Sequence, residues 1–183
     1  AEALVASGVD ESKMTAALSM VEKTEEAVVS GVLVAGNVDD IFKDIATMDS
    51  SQFEQTADII ETTNDAVTAG VMTLDNAGSF LADSAGSDSA TMKAKNNALK
   101  ATSAAVKSGA LSLNDADSML TNMSKSSAAD LAATANVILS ASTSYASGDV
   151  NAEEFQKLSS NMAAVAKTSA AATASGGTLG ADF

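Results

Sequence analysis

The segment SGALSLNDADSML, residues 108–120, contains the junction between two expected helices and decides the fold. Gly109 suits the left-handed backbone position that follows the last turn of a helix. Ser112 is a favoured N-cap, and Asp115 follows it at the spacing of a capping-box-like pair. The same pattern recurs in AGVMTLDNAGSFL, residues 69–81, and in SGDVNAEEFQKL, residues 147–158. The sequence therefore predicts the same helix-to-helix junction several times.

The junction glycines recur at a constant spacing. Successive members are 39 residues apart, at Gly31, Gly70, Gly109 and Gly148. A fixed period without insertions is the signature of a repeat architecture. We expect an all-α protein, an α-solenoid of two-helix αα-hairpin repeats with a 39-residue period and about four and a half units.

Each unit is expected to hold a shorter helix of about 12 residues and a longer one of about 18 residues. A polar break separates the two helices. At one aligned position of this break stand residues that favour the N-cap of the longer helix: Asp10, Asp49, Asp88 and Ser127. The junction glycines would then end the longer helix.

Apolar residues that align between units at helical spacing form the predicted repeat core. In the longer helix these aligned positions lie seven residues apart, which is two helical turns. Small residues between them would let neighbouring helices approach closely. The predicted core residues are Met14, Val21, Phe53, Ile60, Val67, Phe80, Met92, Leu99, Met119, Leu120, Leu131, Ile138 and Tyr145.

The period divides the chain into one array over residues 1–183. The expected units are 1–30 (partial), 31–69, 70–108, 109–147 and 148–175 (degenerate), followed by a flexible or assembly tail at 176–183. The fifth unit is degenerate because Ala170 and Gly177 stand where the other units have large apolar residues. One long Ala/Ser-rich helix over 152–175 is the alternative.

The composition argues against an enzyme. The chain lacks Cys, His and Arg, so it lacks thiolate nucleophiles, imidazole bases and guanidinium phosphate clamps. We expect no catalytic residue, no cofactor and no nucleophile–base pair. The net charge of −14 disfavours nucleic acid as a partner, because nucleic-acid affinity depends on basic residues. No apolar run reaches the length of a transmembrane helix.

Three carboxylates in NVDDIFKD, residues 37–44, are weak candidates for metal ligands: Asp39, Asp40 and Asp44. A weakly bound divalent cation would use such oxygen ligands. The stronger interpretation is a solvated first helical turn, where the helix dipole favours negative charge.

The leading functional prediction is a structural protein that assembles head to tail into a filament or surface layer. Its partner would be a further copy of itself, and its location extracellular or at the cell surface. The start Ala-Glu-Ala, without Met, fits a processed secreted protein or a fragment. The alternative is a binding or adhesin scaffold module from a longer helical-repeat protein. A lipid-coating amphipathic protein is disfavoured, because membrane-surface helices are usually rich in basic residues.

Overall fold

The computed structural model describes residues 2–85, 87–123, 126–151, 153–158, 160, 161, 164 and 168. Over these residues the chain is helical and contains no β-strand, which confirms the all-α prediction. No helix in this part is long and apolar enough to span a bilayer. The α-helices are α1 (Glu2–Ala6), α2 (Met14–Val29), α3 (Ala35–Phe42), α4 (Ser50–Thr68), α5 (Leu74–Ala85), α6 (Ser89–Lys107), α7 (Leu113–Met123) and α8 (Ala128–Ser147).

Side-chain caps start three of the long helices. Asp49 accepts a hydrogen bond from the Gln52 N–H at 2.8 Å, and the Gln52 side chain accepts one from the Asp49 N–H at 2.9 Å. Asp88 accepts from the Thr91 N–H at 2.7 Å, and this bond lowers the pKa of the Asp88 carboxyl. Each cap satisfies an amide that the helix itself leaves without a partner.

The caps at the two ends of the series differ. Ser127 accepts a hydrogen bond from the Asp130 N–H at 3.3 Å and starts α8. Asp10 makes no side-chain cap bond, because a 3-10 turn over Glu11–Lys13 precedes α2. The expected cap at Asp10 is therefore absent, since the first residues of that segment do not adopt the α-helical geometry that places an N2 or N3 amide near the carboxylate.

The junction glycines take the left-handed conformation that the sequence requires of them. Their φ angles are +79° at Gly31, +73° at Gly70, +75° at Gly109 and +82° at Gly148. At the second junction the Val71 N–H reaches back to the Ala66 carbonyl at 2.8 Å. This bond satisfies a carbonyl of the last turn of α4 and reverses the chain towards α5.

The long helices pack side by side in chain order. α2 contacts α4, α4 contacts α6, and α6 contacts α8. The short helices form a second series, in which α3 contacts α5 and α5 contacts α7. Helices α3, α5 and α7 begin at residues 35, 74 and 113, and α4, α6 and α8 begin at 50, 89 and 128. Every step between these starts is 39 residues.

Most of the predicted core residues are buried between the two series of helices. The buried members are Phe53, Ile60, Phe80, Met92, Leu99, Met119, Leu120, Leu131 and Ile138. The other four are half-buried: Met14, Val21, Val67 and Tyr145. Phe155 is also fully buried, and its ring meets that of Tyr145 edge-on at 5.7 Å between centroids. The expected tail at 176–183 lies outside the described residues, as does most of 159–175.

Candidate functional site

The predicted metal candidates lie on the surface. Asp39 and Asp40 are exposed on α3, and Asp44 is exposed in the turn that follows. Within the described residues, no group of three or more acidic side chains has an arrangement that could hold a metal ion. The structure therefore does not bring these three carboxylates together as a ligand set.

Lys95 is a buried lysine that the sequence analysis did not single out. Its side chain is 2% exposed, and its ammonium donates to the Asp83 carbonyl at 2.7 Å and to the Ser87 hydroxyl at 3.3 Å. Burial lowers the pKa of Lys95, and the negative charge of Asp83 opposes that shift. The ammonium joins the end of α5 to α6. The aligned residues are small, Ala17 and Thr56 among them, so a lysine at this position was a visible irregularity.

A groove of about 200 Å³ opens between α4 and α6. Small side chains leave this space, since Ala66 on α4 faces Ala104 on α6. The rim carries Asp65 on one side and two lysines, Lys100 and Lys107, on the other. All three charged side chains are exposed, so the groove is a surface feature without a convergent set of buried polar groups.

The two helices beside this groove carry opposite charges. Helix α4 has four acidic residues and no lysine: Glu54, Asp58, Glu61 and Asp65. Helix α6 has four lysines and no acidic residue: Lys93, Lys95, Lys100 and Lys107. The two helices are in contact, so the exposed lysines of α6 lie next to an acidic helix. Helices α2 and α8 carry no equivalent set of lysines.

Polar contacts between α2 and α4 join residues that are separated by slightly less than one 39-residue period. Lys23 on α2 pairs with Glu61 on α4 at 3.1 Å. The hydroxyl of Ser30, just after α2, donates to the Asn64 side chain at 2.7 Å. These pairs are 38 and 34 residues apart, slightly less than one period. Helix α4 therefore sits slightly displaced along α2.

The contacts between α4 and α6 show the same displacement. The Thr56 hydroxyl donates to the Met92 sulfur at 3.4 Å, over a separation of 36 residues. The hydroxyls of Ser51 and Ser89 are 2.8 Å apart, over a separation of 38 residues. The register of one long helix on the next is thus similar at two successive interfaces.

The short helices are joined by side chains that reach the next helix. Asp117 on α7 accepts from the Thr73 N–H at 3.1 Å and from the Asn76 amide at 2.6 Å. The backbone N–H of Asn76 donates to the Thr73 hydroxyl at 3.3 Å, so its side-chain amide is the group that joins α5 to α7. On the preceding pair, Asn37 donates to the Gly78 carbonyl at 3.4 Å, and a Cβ on Gly78 would lie 3.1 Å from the Asn37 side-chain oxygen.

The outermost long helices expose residues at positions that are buried on the inner ones. Leu18 on α2 is 40% exposed, whereas the residues aligned with it are at most 6% exposed: Ala57, Asn96 and Ala135. Val137 on α8 is 42% exposed, whereas its aligned residues are at most 1% exposed: Met20, Ile59 and Ala98. The aligned residues are covered because a neighbouring long helix lies against them.

These residues define two candidate surfaces. The α2 end face consists of Met14, Leu18, Val21 and Glu25, which lie on one side of that helix. The α8 end face consists of Ala133, Val137, Ser140 and Ser144. The residues of α4 and α6 that align with these two faces lie on the sides of the inner helices that contact neighbouring long helices. Within the described residues, these two faces therefore hold apolar side chains that are more exposed than their counterparts on the inner helices.

Comparison with known proteins does not add to this site. No family model, no curated protein and no solved structure matches the chain. The candidate site therefore rests on the burial, contacts and charges of the chain itself.

Proposed function

We propose that this protein is an α-solenoid of 39-residue helical repeats that assembles head to tail into a filament or surface layer outside the cell. The observation that carries the proposal is the pair of end faces. Positions that a neighbouring long helix covers inside the row are exposed at both of its edges. A further unit of the same shape at each edge would cover both end faces.

The proposal agrees with the way repeat arrays are stabilised. Each unit contacts only its neighbours, so an uncovered edge lacks the packing that inner units have. Leu18 and Val137 are large side chains, and full burial of one such side chain contributes about 1.5–3 kcal/mol. Association also costs translational and rotational freedom, so we expect assembly to depend on protein concentration.

The charge of the chain predicts how assembly responds to salt. A net charge of −14 makes copies repel one another at low ionic strength. At about 0.15 M salt the screening length falls to roughly 8 Å, which removes most of this long-range repulsion. Assembly should therefore increase with ionic strength.

A second candidate function also rests on the two exposed end faces. A longer helical-repeat protein, serving as a binding or adhesin scaffold, would cover both end faces with covalently linked repeats. The two candidates differ in the length of the native chain and in whether the 183-residue chain associates with itself.

The test combines intact mass and N-terminal sequencing of native material with electron microscopy of the same sample. Filaments or sheets made from an 18 kDa chain would support self-assembly. A much larger native chain would favour the scaffold. Monodisperse monomers at every salt and calcium concentration would refute assembly of this chain.

A further inference from the structure

We infer that assembly joins the α8 end face of one copy to the α2 end face of a second copy, in the register that the inner helices use. This inference rests on the proposed function and specifies its interface. The α8 end face would contact α2 of the second copy as α4 contacts α6.

The inner contacts specify the pairs across this interface. Ser147 lies three 39-residue periods after Ser30, and Glu25 lies one period before Asn64. Since the Ser30 hydroxyl donates to Asn64 at 2.7 Å, Ser147 would lie beside Glu25 of the second copy. Within one chain the Ser147 hydroxyl donates to the Ser144 carbonyl at 3.0 Å and to the Asp149 carboxylate at 2.5 Å, so it would have to turn from these acceptors to bond Glu25. By the same displacement, Ser140 would meet Glu22, because they align with the 3.1 Å pair of Lys23 and Glu61.

Further residues on or beside the two faces fall into the same arrangement. Thr134 lies two periods after Thr56, and Met14 lies two periods before Met92, so these residues would repeat the 3.4 Å hydroxyl–sulfur contact between copies. Leu18 and Val137 would lose their exposure in the same interface.

The short-helix series supplies a further contact. Leu158 is partly exposed, although the residues aligned with it are buried: Ile41, Phe80 and Met119. Ile41 lines the same small internal space as Ile60, and Val21 lies one period before Ile60. Leu158 would therefore contact Val21 of the second copy, which is only half-buried in a single chain.

Charge favours this head-to-tail pairing over a two-fold pairing of α2 with α2. The exposed side of α2 carries Glu22 and Glu25, so two such faces would bring like charges together. Helix α8 has one acidic residue, Asp130, in its first turn, and none on its end face. The hydroxyls of Ser140 and Ser144 can donate to carboxylates, whereas a second acidic face cannot.

Cysteine cross-linking tests the register directly, because the chain contains no cysteine. We would mix Ser147→Cys with Glu25→Cys at a concentration where the wild type assembles, and treat the mixture with a short bis-maleimide. The double variant Ser30→Cys/Asn64→Cys is the intrachain control for reach. A mixture of Ser147→Cys with Glu54→Cys, an exposed site outside both end faces, is the control for random contact.

We expect cross-linked dimers from the Ser147/Glu25 mixture at least tenfold above either single variant alone and above the Glu54 mixture. Sedimentation velocity on the same samples measures association independently. If the samples associate but cross-link equally in all mixtures, or mainly within one single variant, the inferred register is wrong and self-assembly stands. If they do not associate under any condition, self-assembly itself is wrong and this interface falls with it.

Discussion

Helix α6, inside the row, and helix α2, at its edge, occupy equivalent positions but differ in how much of their surface is covered. Nine of the 19 residues of α6 are buried, against four of the 16 residues of α2. Leu99 on α6 is fully buried, and Val21, which aligns with it, is half-buried. Aligned residues therefore do not contribute equally to the free energy of unfolding. The contribution of each residue depends on whether a neighbouring helix lies on one side of its helix or on both.

The largest expected effect comes from placing an aspartate on an inner helix and, for comparison, on the edge helix α2. Ile60→Asp would bury an unpaired carboxylate and should lower the free energy of unfolding by at least about 4 kcal/mol. Leu18→Asp, at a position 40% exposed, should cost about 1 kcal/mol or less. Urea unfolding followed by circular dichroism measures both. Leu99→Asp should behave as Ile60→Asp does, and similar losses for Leu18→Asp and Ile60→Asp would contradict the comparison.

The N-caps provide a smaller test. Asp49→Ala removes the carboxylate that accepts from the Gln52 N–H at the start of α4, while the backbone N–H of residue 49 can still donate to the Gln52 side chain. The loss should cost about 1 kcal/mol. Asp10→Ala removes no cap bond and should change stability by less than about 0.5 kcal/mol. Thermal and urea unfolding of the two variants give the comparison. A larger loss for Asp10→Ala would show that the cap position matters equally at the edge of the row.

The next prediction concerns the buried ammonium of Lys95, on the inner helix α6. Burial lowers the pKa of Lys95 below its ordinary value of 10.5, so the folded chain binds fewer protons than the unfolded chain just below that pH. The contribution of this group to stability should therefore rise as pH rises towards 10.5, and fall as pH falls through the lowered pKa. Urea unfolding of Lys95→Met across alkaline pH should show a flatter profile than the wild type.

The matched control for that experiment is Lys100→Met, an exposed lysine on the same helix. Because it removes an exposed side chain, it should change the pH profile less than Lys95→Met does. An unchanged slope in Lys95→Met would mean that burial of this ammonium does not govern the alkaline stability.

The smallest expected effect concerns the ion pair between α2 and α4. Hydrogen bonds to Glu26 and Glu61 raise the pKa of Lys23, so its contribution is present at neutral pH and lost only as pH rises through the raised value. The Lys23 side chain is half-buried and its two glutamate partners are exposed, and ion pairs at the surface are screened by salt. Lys23→Met should melt slightly below the wild type at low ionic strength and together with it at about 1 M salt. A difference that persists in high salt would point to lost packing of the side-chain stem.

Local signals let the sequence alone determine where the helices begin and end. Glycines at a 39-residue spacing and N-caps such as Asp49 and Ser127 act within a few residues of themselves, so no knowledge of distant contacts was needed. The same alignment identified Phe53, Ile60 and Leu99, which the structure buries. The solenoid path and the assembly remain predictions of that periodicity.

Only the tertiary structure decided how each repeat position is used. It buried Lys95 against the end of α5, directed Asp117 to Thr73 and Asn76, and left Leu18 and Val137 exposed. The partners of Lys95 lie 8 and 12 residues away, and those of Asp117 lie 41 and 44 residues away. The displacement of one helix along another, which brings such partners together, is not written in any single unit. A repeated sequence specifies the unit, whereas the neighbours that are present determine which of its surfaces are covered.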